Sequence, residues 1–199
     1  LFPLNDTIHK HLEELFTSLE NILASESSLC YDYEYDRIIC FGELISTTII
    51  SDYLKMKGIE NQFIDIRKFL KTDQNYRNAN IDLELSEQLC KDAFDFNTSS
   101  VFVTQGFIAG TRTNQTTTLG REGSDYTAAL LANLLNAEDV TIWKDVPGVM
   151  NADPKEYEKA QVISRMSYKE AIELSHFGAK VIHPKTIKPI QNKQIPLYV

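Results

Sequence analysis

One stretch of the chain concentrates residues that could bind a phosphate or a carboxylate. Residues 116–125 read Thr-Thr-Thr-Leu-Gly-Arg-Glu-Gly-Ser-Asp, and the two glycines allow the backbone to approach a ligand closely. The stretch leads into a helix, whose first N–H groups and partial positive charge attract anions. Ser124 and Asp125 are equally suited to cap that helix, so both interpretations stay open on these residues alone. The stretch is not a P-loop, because no G-x-x-x-x-G-K-[ST] sequence occurs in the chain.

Two charged side chains are candidates for binding a small molecule. Arg121 lies inside the glycine-containing turn, where its guanidinium offers a planar fork to a carboxylate or a phosphate. The alternative is a surface arginine paired with Glu122. Glu43 lies in a helical segment that is otherwise apolar, Cys-Phe-Gly-Glu-Leu-Ile at residues 40–45. Its carboxylate therefore either faces water or is held for a partner.

Two later segments are candidates for holding a phosphate. Residues 143–150, Trp-Lys-Asp-Val-Pro-Gly-Val-Met, begin where a strand ends, the edge at which open α/β sheets bind ligands, and Asp-Pro-Lys follows at residues 153–155. Residues 177–184, Phe-Gly-Ala-Lys-Val-Ile-His-Pro, place Lys180 near a helix end, within reach of a phosphate. The alternatives are an ordinary loop for the first segment and a solvated charge for Lys180. We expect His183 to be structural.

Helices and strands that alternate along the chain must position these segments. Apolar periodicity predicts helices at residues 12–23, 36–57, 84–94, 126–136 and 167–177, and Pro184 opens a further helix. Short apolar runs predict strands at residues 62–66, 81–83, 101–103, 140–143 and 195–199. Residues 71–80 and the threonine-rich residues 109–118 are expected to be loops. The alternation predicts an α/β fold in which helices cover both faces of a mostly parallel sheet, and the length suggests one domain.

Composition limits the classes of function. The formal net charge is −8, and no basic stripe of the kind that a nucleic-acid surface requires is present. No apolar run approaches the roughly 20 residues that span a bilayer, and no signal-peptide pattern opens the chain. Cys30, Cys40 and Cys90 lack metal-ligand spacing, so we expect reduced thiols in a soluble, cytoplasmic protein.

Taken in order, these segments resemble the aspartokinases of the amino-acid kinase family. The resemblance covers nearly everything after residue 36 and is carried by residues 41–44, 104–108, 116–129, 145–148, 153–154 and 177–184. It implies a three-layer αβα sandwich like that of carbamate kinase. It also implies transfer of the γ-phosphoryl group of ATP, with Mg²⁺, to the side-chain carboxylate of L-aspartate. The product, 4-phospho-L-aspartate, is the first intermediate toward lysine, threonine and methionine.

The resemblance further implies roles for individual residues. Asp125 matches the catalytic aspartate of the family, which organises lysines and the metal-nucleotide at the transferring phosphate. Arg121 matches the residue that holds the carboxylate of the aspartate substrate, Glu43 the residue that accepts its α-ammonium group, and Phe107 a residue that lines the same pocket. The residues expected to hold ATP are Lys144, Asp145, Met150, Lys155 and Lys180. No residue is assigned to a metal.

The chain departs from the family pattern at several positions. Glu122 stands where glycine is common, and Lys144 and Met150 stand where other members have threonine and tyrosine. The family opens with Lys-Phe-Gly-Gly-Thr-Ser, which does not occur in these 199 residues. We therefore expect residues 1–199 to be a partial catalytic domain, without that segment or the ACT regulatory domains, and to be inactive alone. The full-length protein is expected to be a homodimer.

The implied reaction makes chemical sense for these residues. An aspartate carboxylate has an unperturbed pKa of about 3.9 and is already ionised at neutral pH, so no general base is required. The difficulty is to bring an anion up to a triphosphate, which calls for positioning and cationic shielding. Two rivals stay open: a kinase of the same fold that acts on glutamate, carbamate or a nucleotide, and a non-catalytic binding member. Glu43 and Arg121 together favour a zwitterionic amino acid as acceptor.

Overall fold

The computed structural model describes residues 6–176 and 181–199, which form six α-helices and seven strands. The helices are α1 (Asp6–Ala24), α2 (Tyr31–Met56), α3 (Leu83–Ala93), α4 (Gly123–Leu134), α5 (Tyr168–His176) and α6 (Pro184–Gln191). The strands are β1 (Gln62–Ile64), β2 (Lys71–Thr72), β3 (Phe102–Thr104), β4 (Ile108–Thr111), β5 (Thr116–Thr118), β6 (Val140–Thr141) and β7 (Leu197–Tyr198). A 3₁₀ turn, Ile66–Lys68, follows β1. The chain divides into a first unit, Leu1–Ser124, and a second unit, Asp125–Val199.

Most strand pairings are parallel, as an α/β fold requires. In the first unit β1 pairs with β3 and β2 with β4, both in parallel, and β5 adds to β4 in the antiparallel sense. In the second unit β6 and β7 are parallel. The predicted α/β class with mostly parallel strands is therefore confirmed. None of the described helices is long and apolar enough to cross a membrane.

The hairpin of β4 and β5 is the largest difference from the predicted elements. The sequence predicts a loop over residues 109–118, whereas Ala109 pairs with Thr117 in this hairpin. Threonine is β-branched and fits a pleated strand, but a polar run hides the apolar alternation on which strand prediction relies. The prediction of a loop over residues 71–80 is likewise wrong at its first two residues, which form β2 beside β4.

The start of α3 also differs from the prediction. The strand predicted at residues 81–83 reduces to a single bridge between Ile81 and Thr72. Asp82 caps α3 instead, because its carboxylate accepts a hydrogen bond from the N–H of Leu85 at 3.2 Å. A capping aspartate ends the extended backbone, so the strand cannot continue into the helix.

The end of α2 agrees with its predicted stop signal, whereas α2 and α4 both start earlier than predicted. Helix α2 begins at Tyr31, five residues before the predicted start, and α4 begins three residues early, at Gly123. Gly58 follows the end of α2 as predicted: its φ is 78°, and its N–H donates to the carbonyl of Lys55. Pro184 is the first residue of α6, as predicted.

Each unit has its own apolar interior. In the first unit, buried apolar side chains come from α2, the 3₁₀ turn and the β4–β5 hairpin, and from residues just after the last two, and include Phe41, Leu44, Ile66, Leu70, Ile108 and Leu119. In the second unit the buried clusters are Ala129, Ala132, Val140, Ile190 and Ile195, and Ile142, Ile182 and Ile187. The three cysteines are free thiols, and burial raises the pKa of Cys40 to about 11 and that of Cys90 to about 12.

Candidate active site

Helix α2 carries three polar side chains of the first unit on one side. Asp36, Glu43 and Thr47 are seven and four residues apart, a spacing that stacks them along one face of an α-helix. Asp36 and Thr47 are buried and bond to other segments, whereas Glu43 between them is half-buried. The helix therefore holds Glu43 between two fixed points.

The carboxylate of Glu43 has no hydrogen bond or ion pair to any residue that the structure describes. Burial raises its pKa above the ordinary value of 4.5, because the charged form loses part of its hydration. A partly desolvated carboxylate without a partner is unfavourable unless a ligand supplies the missing donor. The side chain is therefore available to a cationic group.

Phe107 lies in a strained turn beside the start of α4. Its φ is 67°, and the N–H of Ile108 donates to the carbonyl of Gly106 at 2.7 Å, the hydrogen bond that closes a γ-turn. A left-handed conformation is costly for an aromatic residue, and such strain concentrates at ligand sites. Gly123 packs on this turn so closely that a Cβ there would lie 3.0 Å from the Cα of Phe107. Phe107 is thereby brought to the segment that contains Arg121.

Gln105 precedes the Phe107 turn and fixes it to two other segments of the first unit. The side chain is 1% exposed, and its Nε2 donates to the hydroxyl of Thr47 at 2.9 Å. Its Oε1 accepts a hydrogen bond from the N–H of Ile66 at 3.0 Å. This buried amide joins the turn to α2 and to the 3₁₀ turn, a role that the sequence analysis did not assign.

The turn that carries Arg121 has left-handed backbone on both sides of it. Gly120 has a φ of 78° and Glu122 a φ of 53°. A Cβ at position 120 would also lie 2.8 Å from Oδ1 of Asn78 and 3.2 Å from the carbonyl oxygen of Arg77, so glycine gives this turn space as well as a left-handed backbone. Glu122 has one buried carboxylate oxygen, which finds no hydrogen-bond partner within the described part of the chain.

The guanidinium of Arg121 is exposed and has no ion pair or hydrogen bond to a described residue. The alternative in which it pairs with Glu122 is therefore wrong for this structure, in which Glu122 has a buried, unpaired oxygen instead. Among the described residues of the first unit, Glu43 is thus a half-buried carboxylate without a partner and Arg121 a guanidinium without one. The turn that carries Phe107 packs against Gly123, two residues after Arg121.

Asp36 links α2 to the Arg121 turn. It is fully buried, and its Oδ2 accepts hydrogen bonds from the N–H groups of Arg77 and Thr118, each at 2.8 Å. Its Oδ1 accepts a third from the hydroxyl of Thr118, also at 2.8 Å. Asp36 is not among the site residues predicted from the sequence; the signal that could have indicated it is an aspartate two helical turns before Glu43 on the same helix face.

Asp125 in the second unit forms an ion pair with Lys144. The lysine Nζ lies 2.7 Å from Oδ2 of Asp125, and the side chains are 20% and 16% exposed. This buried oxygen has no other partner among the described residues. Because α4 begins at Gly123, neither Ser124 nor Asp125 is its cap residue, so the capping interpretation is wrong. The pair places one carboxylate and one ammonium at the start of α4.

The other residues expected to hold ATP make few contacts that would fix their side chains. Asp145 and Lys155 are exposed and make no side-chain hydrogen bond or ion pair to described residues, and Met150 is half-buried in a bridge with Val162. Lys180 lies outside the described residues. The described side chains contain no group of three or more His, Cys, Asp or Glu residues that could hold a metal ion.

His183 has a structural role, as the sequence analysis expected. It is the N-cap residue of α6, and its Nδ1 accepts a hydrogen bond from the N–H of Lys185 at 3.1 Å. A ring nitrogen that accepts from a backbone amide is occupied in capping, so His183 is not available as a general base in this arrangement.

The fold and this set of side chains agree with one family of enzymes. The family model described as "Amino acid kinase family" matches residues 6–199, nearly the whole chain. The chain therefore belongs to the amino acid kinase family.

Within that family the chain is similar to aspartokinases. It is 39% identical over 191 residues to lysine-sensitive aspartokinase 3 of Escherichia coli, a match that covers 94% of this chain and 42% of the relative. It is 36% identical over 198 residues to a bifunctional aspartokinase/homoserine dehydrogenase of Buchnera aphidicola, covering 96% of this chain and 24% of the relative.

A solved structure with a similar fold is that of E. coli aspartokinase III in complex with aspartate and ADP in its R-state. The TM-score is 0.88 at 35% sequence identity, over 96% of this chain and 43% of that one. The chain thus spans about two fifths of the length of the E. coli aspartokinase and about a quarter of the bifunctional enzyme.

Proposed function

We propose that the protein carrying this chain is an aspartate kinase. It would transfer the γ-phosphoryl group of ATP to the side-chain carboxylate of L-aspartate and yield 4-phospho-L-aspartate, on the route to lysine, threonine and methionine. The observation that carries this proposal is the pair of unpaired charges in the first unit, the half-buried carboxylate of Glu43 and the guanidinium of Arg121. It is supported by similarity to an aspartokinase whose structure contains aspartate and ADP.

The acceptor half of the reaction follows from charge complementarity. The carboxylate of Glu43 accepts hydrogen bonds from the α-ammonium group of the amino acid, and Arg121 binds a carboxylate through two parallel N–H groups. Phe107 gives the pocket an apolar wall. The side-chain carboxylate of aspartate is the nucleophile, and since it is ionised at neutral pH, the protein has only to position it and remove water.

The phosphoryl half of the reaction needs cationic stabilisation more than proton transfer. The N–H groups at the start of α4 and the ammonium of Lys144 offset negative charge as it moves during transfer, and Asp125 holds that ammonium in place. Lys155 and Lys180 are proposed nucleotide contacts, together with Asp145 and Met150. Mg²⁺ fits this set as an ion bound mainly by the nucleotide phosphates, which is how Mg²⁺ is usually held with ATP, and it supplies further charge neutralisation.

The rivals make different demands on the same residues. A nucleotide acceptor has no ammonium group for Glu43, and a carbamate acceptor has neither an ammonium nor a second carboxylate. Glutamate satisfies both contacts and differs by one methylene, which a pocket distinguishes by only about 10- to 200-fold. A non-catalytic binding member would not need Asp125 beside a lysine. The homodimer and the cytoplasmic location of the full-length protein remain proposals.

The test is an acceptor screen on the full-length protein with Mg-ATP. We expect ADP formation and hydroxylamine-trapped acyl phosphate with L-aspartate, at least tenfold less with L-glutamate, and none with carbamate or a nucleoside monophosphate. The 199-residue chain alone is expected to show little transfer, because no Lys-Phe-Gly-Gly sequence occurs in it. Equal rates with a nucleotide acceptor, or binding of ATP without transfer to any acceptor, would refute the proposal.

A further inference from the structure

We propose that Asp36 is a positioning residue for the acceptor site, which fixes the Arg121 turn to the helix that carries Glu43. The inference rests on the proposed function, because it assumes that Glu43 and Arg121 bind the two charged ends of one acceptor. Asp36 would not touch the acceptor; it would act through the backbone of the turn.

The contacts of Asp36 are unusual for a residue that only fills space. The side chain is 0% exposed, and a carboxylate is tolerated there because both oxygens accept short hydrogen bonds, three in all. Two of the donors are backbone N–H groups, of Arg77 and Thr118, and the third is the hydroxyl of Thr118. A single side chain thus binds two segments that lie 41 and 82 residues away from it in the sequence.

These two segments form the support of the Arg121 turn. Thr118 ends β5, three residues before Arg121, and its carbonyl accepts a hydrogen bond from the N–H of Ala79 at 2.9 Å. Arg77 is bonded to Asp36 and Ala79 to Thr118, and Asn78 between them lies against Gly120. Asp36 therefore fixes residues 77–79 and Thr118 together, and Gly120 is closely packed on them.

Helix α2 fixes the distance between Asp36, which binds the Arg121 turn, and Glu43. Asp36 and Glu43 are two turns apart on the same face, roughly 10 Å along the axis. The helix does not change length, so anchoring the Arg121 turn at Asp36 sets the separation between Glu43 and Arg121. An amino acid has fixed spacing between its charges, and an error of about 1 Å in such a site can lower the rate about 100-fold.

The test compares two buried aspartates on α2. Asp36→Asn keeps the volume but replaces two charged acceptor oxygens by one neutral amide oxygen, so the hydrogen bonds from the N–H groups of Arg77 and Thr118 become weaker and the anchor is loosened. Asp52→Asn is the matched control: Asp52 is 7% exposed and pairs with His11 of α1 at 2.9 Å, and within the described residues no hydrogen bond or ion pair joins it to the Arg121 turn. We expect Asp36→Asn to raise the aspartate KM of the full-length protein about tenfold, with the ATP KM within twofold, and Asp52→Asn to change neither.

A double-mutant cycle separates positioning from general destabilisation. If Asp36 acts through the Arg121 turn, Asp36→Asn should raise the aspartate KM less than twofold further in an Arg121→Lys background, because the contact that it positions is already lost. The Thr118→Val variant, which loses only the hydroxyl donor, should show an intermediate effect. An unchanged aspartate KM in Asp36→Asn, or effects that multiply fully in the double variant, would overturn the inference.

A readout independent of the acceptor distinguishes this inference from the proposed function. Amide hydrogen exchange at Arg77 and Thr118 should become faster in Asp36→Asn and stay unchanged in Asp52→Asn. If the wild-type protein does not phosphorylate aspartate, the proposed function fails, and the exchange result decides the anchoring claim by itself. Selective loss of protection at these two amides supports it, and unchanged protection overturns it.

Discussion

Glu122 combines two unfavourable features in one residue of the Arg121 turn. Its backbone is left-handed, with a φ of 53°, and one of its carboxylate oxygens is buried without a described partner. A left-handed conformation costs a residue other than glycine about 1 kcal/mol, and a buried unsatisfied polar atom costs about 1–3 kcal/mol. The turn therefore keeps a side chain that weakens the folded state.

We predict that Glu122→Gly raises the free energy of unfolding by about 1 kcal/mol or more, because glycine relieves both terms. Thermal and urea unfolding measure the change. Gln194→Gly is the matched control: Gln194 has a similar φ, 55°, but is exposed, so it reports the backbone term alone. A Glu122→Gly variant that is less stable than the wild type would show that the carboxylate is satisfied in the folded protein.

Asp125 and Lys144 form an ion pair in the second unit. We predict that Asp125→Asn lowers kcat at least about 100-fold, with the KM values for ATP and aspartate changing far less, because the amide keeps the shape but no longer holds the ammonium of Lys144 by charge. Steady-state kinetics on the full-length protein measure this. A near-normal kcat would assign Asp125 a structural role at the start of α4.

The raised pKa of Glu43 predicts a pH-dependent stability difference. The folded-state pKa lies above the ordinary value of 4.5, so ionisation is harder in the folded protein and the folded state binds its proton more tightly. Stability is therefore lost as the pH rises from the unfolded pKa through the folded pKa, and the loss is complete above it. Glu43→Gln lacks this loss.

We expect Glu43→Gln to match the wild type in free energy of unfolding below about pH 4 and to become the more stable of the two as the pH rises above that value. Urea unfolding at a series of pH values measures the difference, with the exposed Glu13→Gln as the control for removal of a surface charge. A difference that is constant with pH, or one that shrinks as the pH rises, would contradict the burial of an unpaired carboxylate.

At the scale of elements, two close contacts join the Phe107 turn, residues 106–108, to the start of α4 at residues 123–124. A Cβ at Gly123 would lie 2.7 Å from Cδ2 of Phe107, and one at Gly106 would lie 2.8 Å from the Cα of Ser124. These two segments therefore interlock without room for a methyl group. The glycines are needed for that packing, and at neither of these positions is a positive φ involved.

We predict that Gly123→Ala raises the aspartate KM at least about tenfold and lowers the free energy of unfolding by about 1–3 kcal/mol, because the backbone of the Phe107 turn has to move. Gly42→Ala is the control for stability: nothing lies within 4 Å of its Cβ position inside α2, so alanine should stabilise the helix by about 0.5–1 kcal/mol. Equal stability changes in the two variants would refute the interlocked packing.

The sequence predicts some elements well, and it singles out candidate site residues, for identifiable reasons. Helices α2 and α4 have apolar periodicity, and Glu43, Arg121 and Asp125 lie in motifs whose order is specific. The β4–β5 hairpin could not be predicted from apolar alternation, because threonine has a polar side chain although its β-branched shape fits a strand. Asp36 and Gln105 could not be assigned, since their partners lie up to 82 residues away and a buried polar residue leaves no local pattern.

At the scale of the whole molecule, the expected site residues divide between the two units. Glu43, Phe107 and Arg121 belong to Leu1–Ser124, and Asp125 begins the unit that contains the residues expected to hold ATP. The chain is acidic overall, with 28 Asp and Glu against 20 Lys and Arg, while both proposed substrates are anionic. Binding must therefore depend on local cations, such as Arg121 and Lys144, rather than on the net field of the protein.

The central claim is that Glu43 and Arg121 bind the two charged ends of an amino acid that is then phosphorylated. Its most direct test is the KM for each substrate in Glu43→Gln of the full-length protein. A hydrogen bond to a charged group contributes about 1.5–3 kcal/mol, so we predict an aspartate KM raised about 10- to 150-fold and an ATP KM within twofold. An aspartate KM within twofold of the wild-type value would contradict the claim and make Glu43 a helix residue without a role in binding.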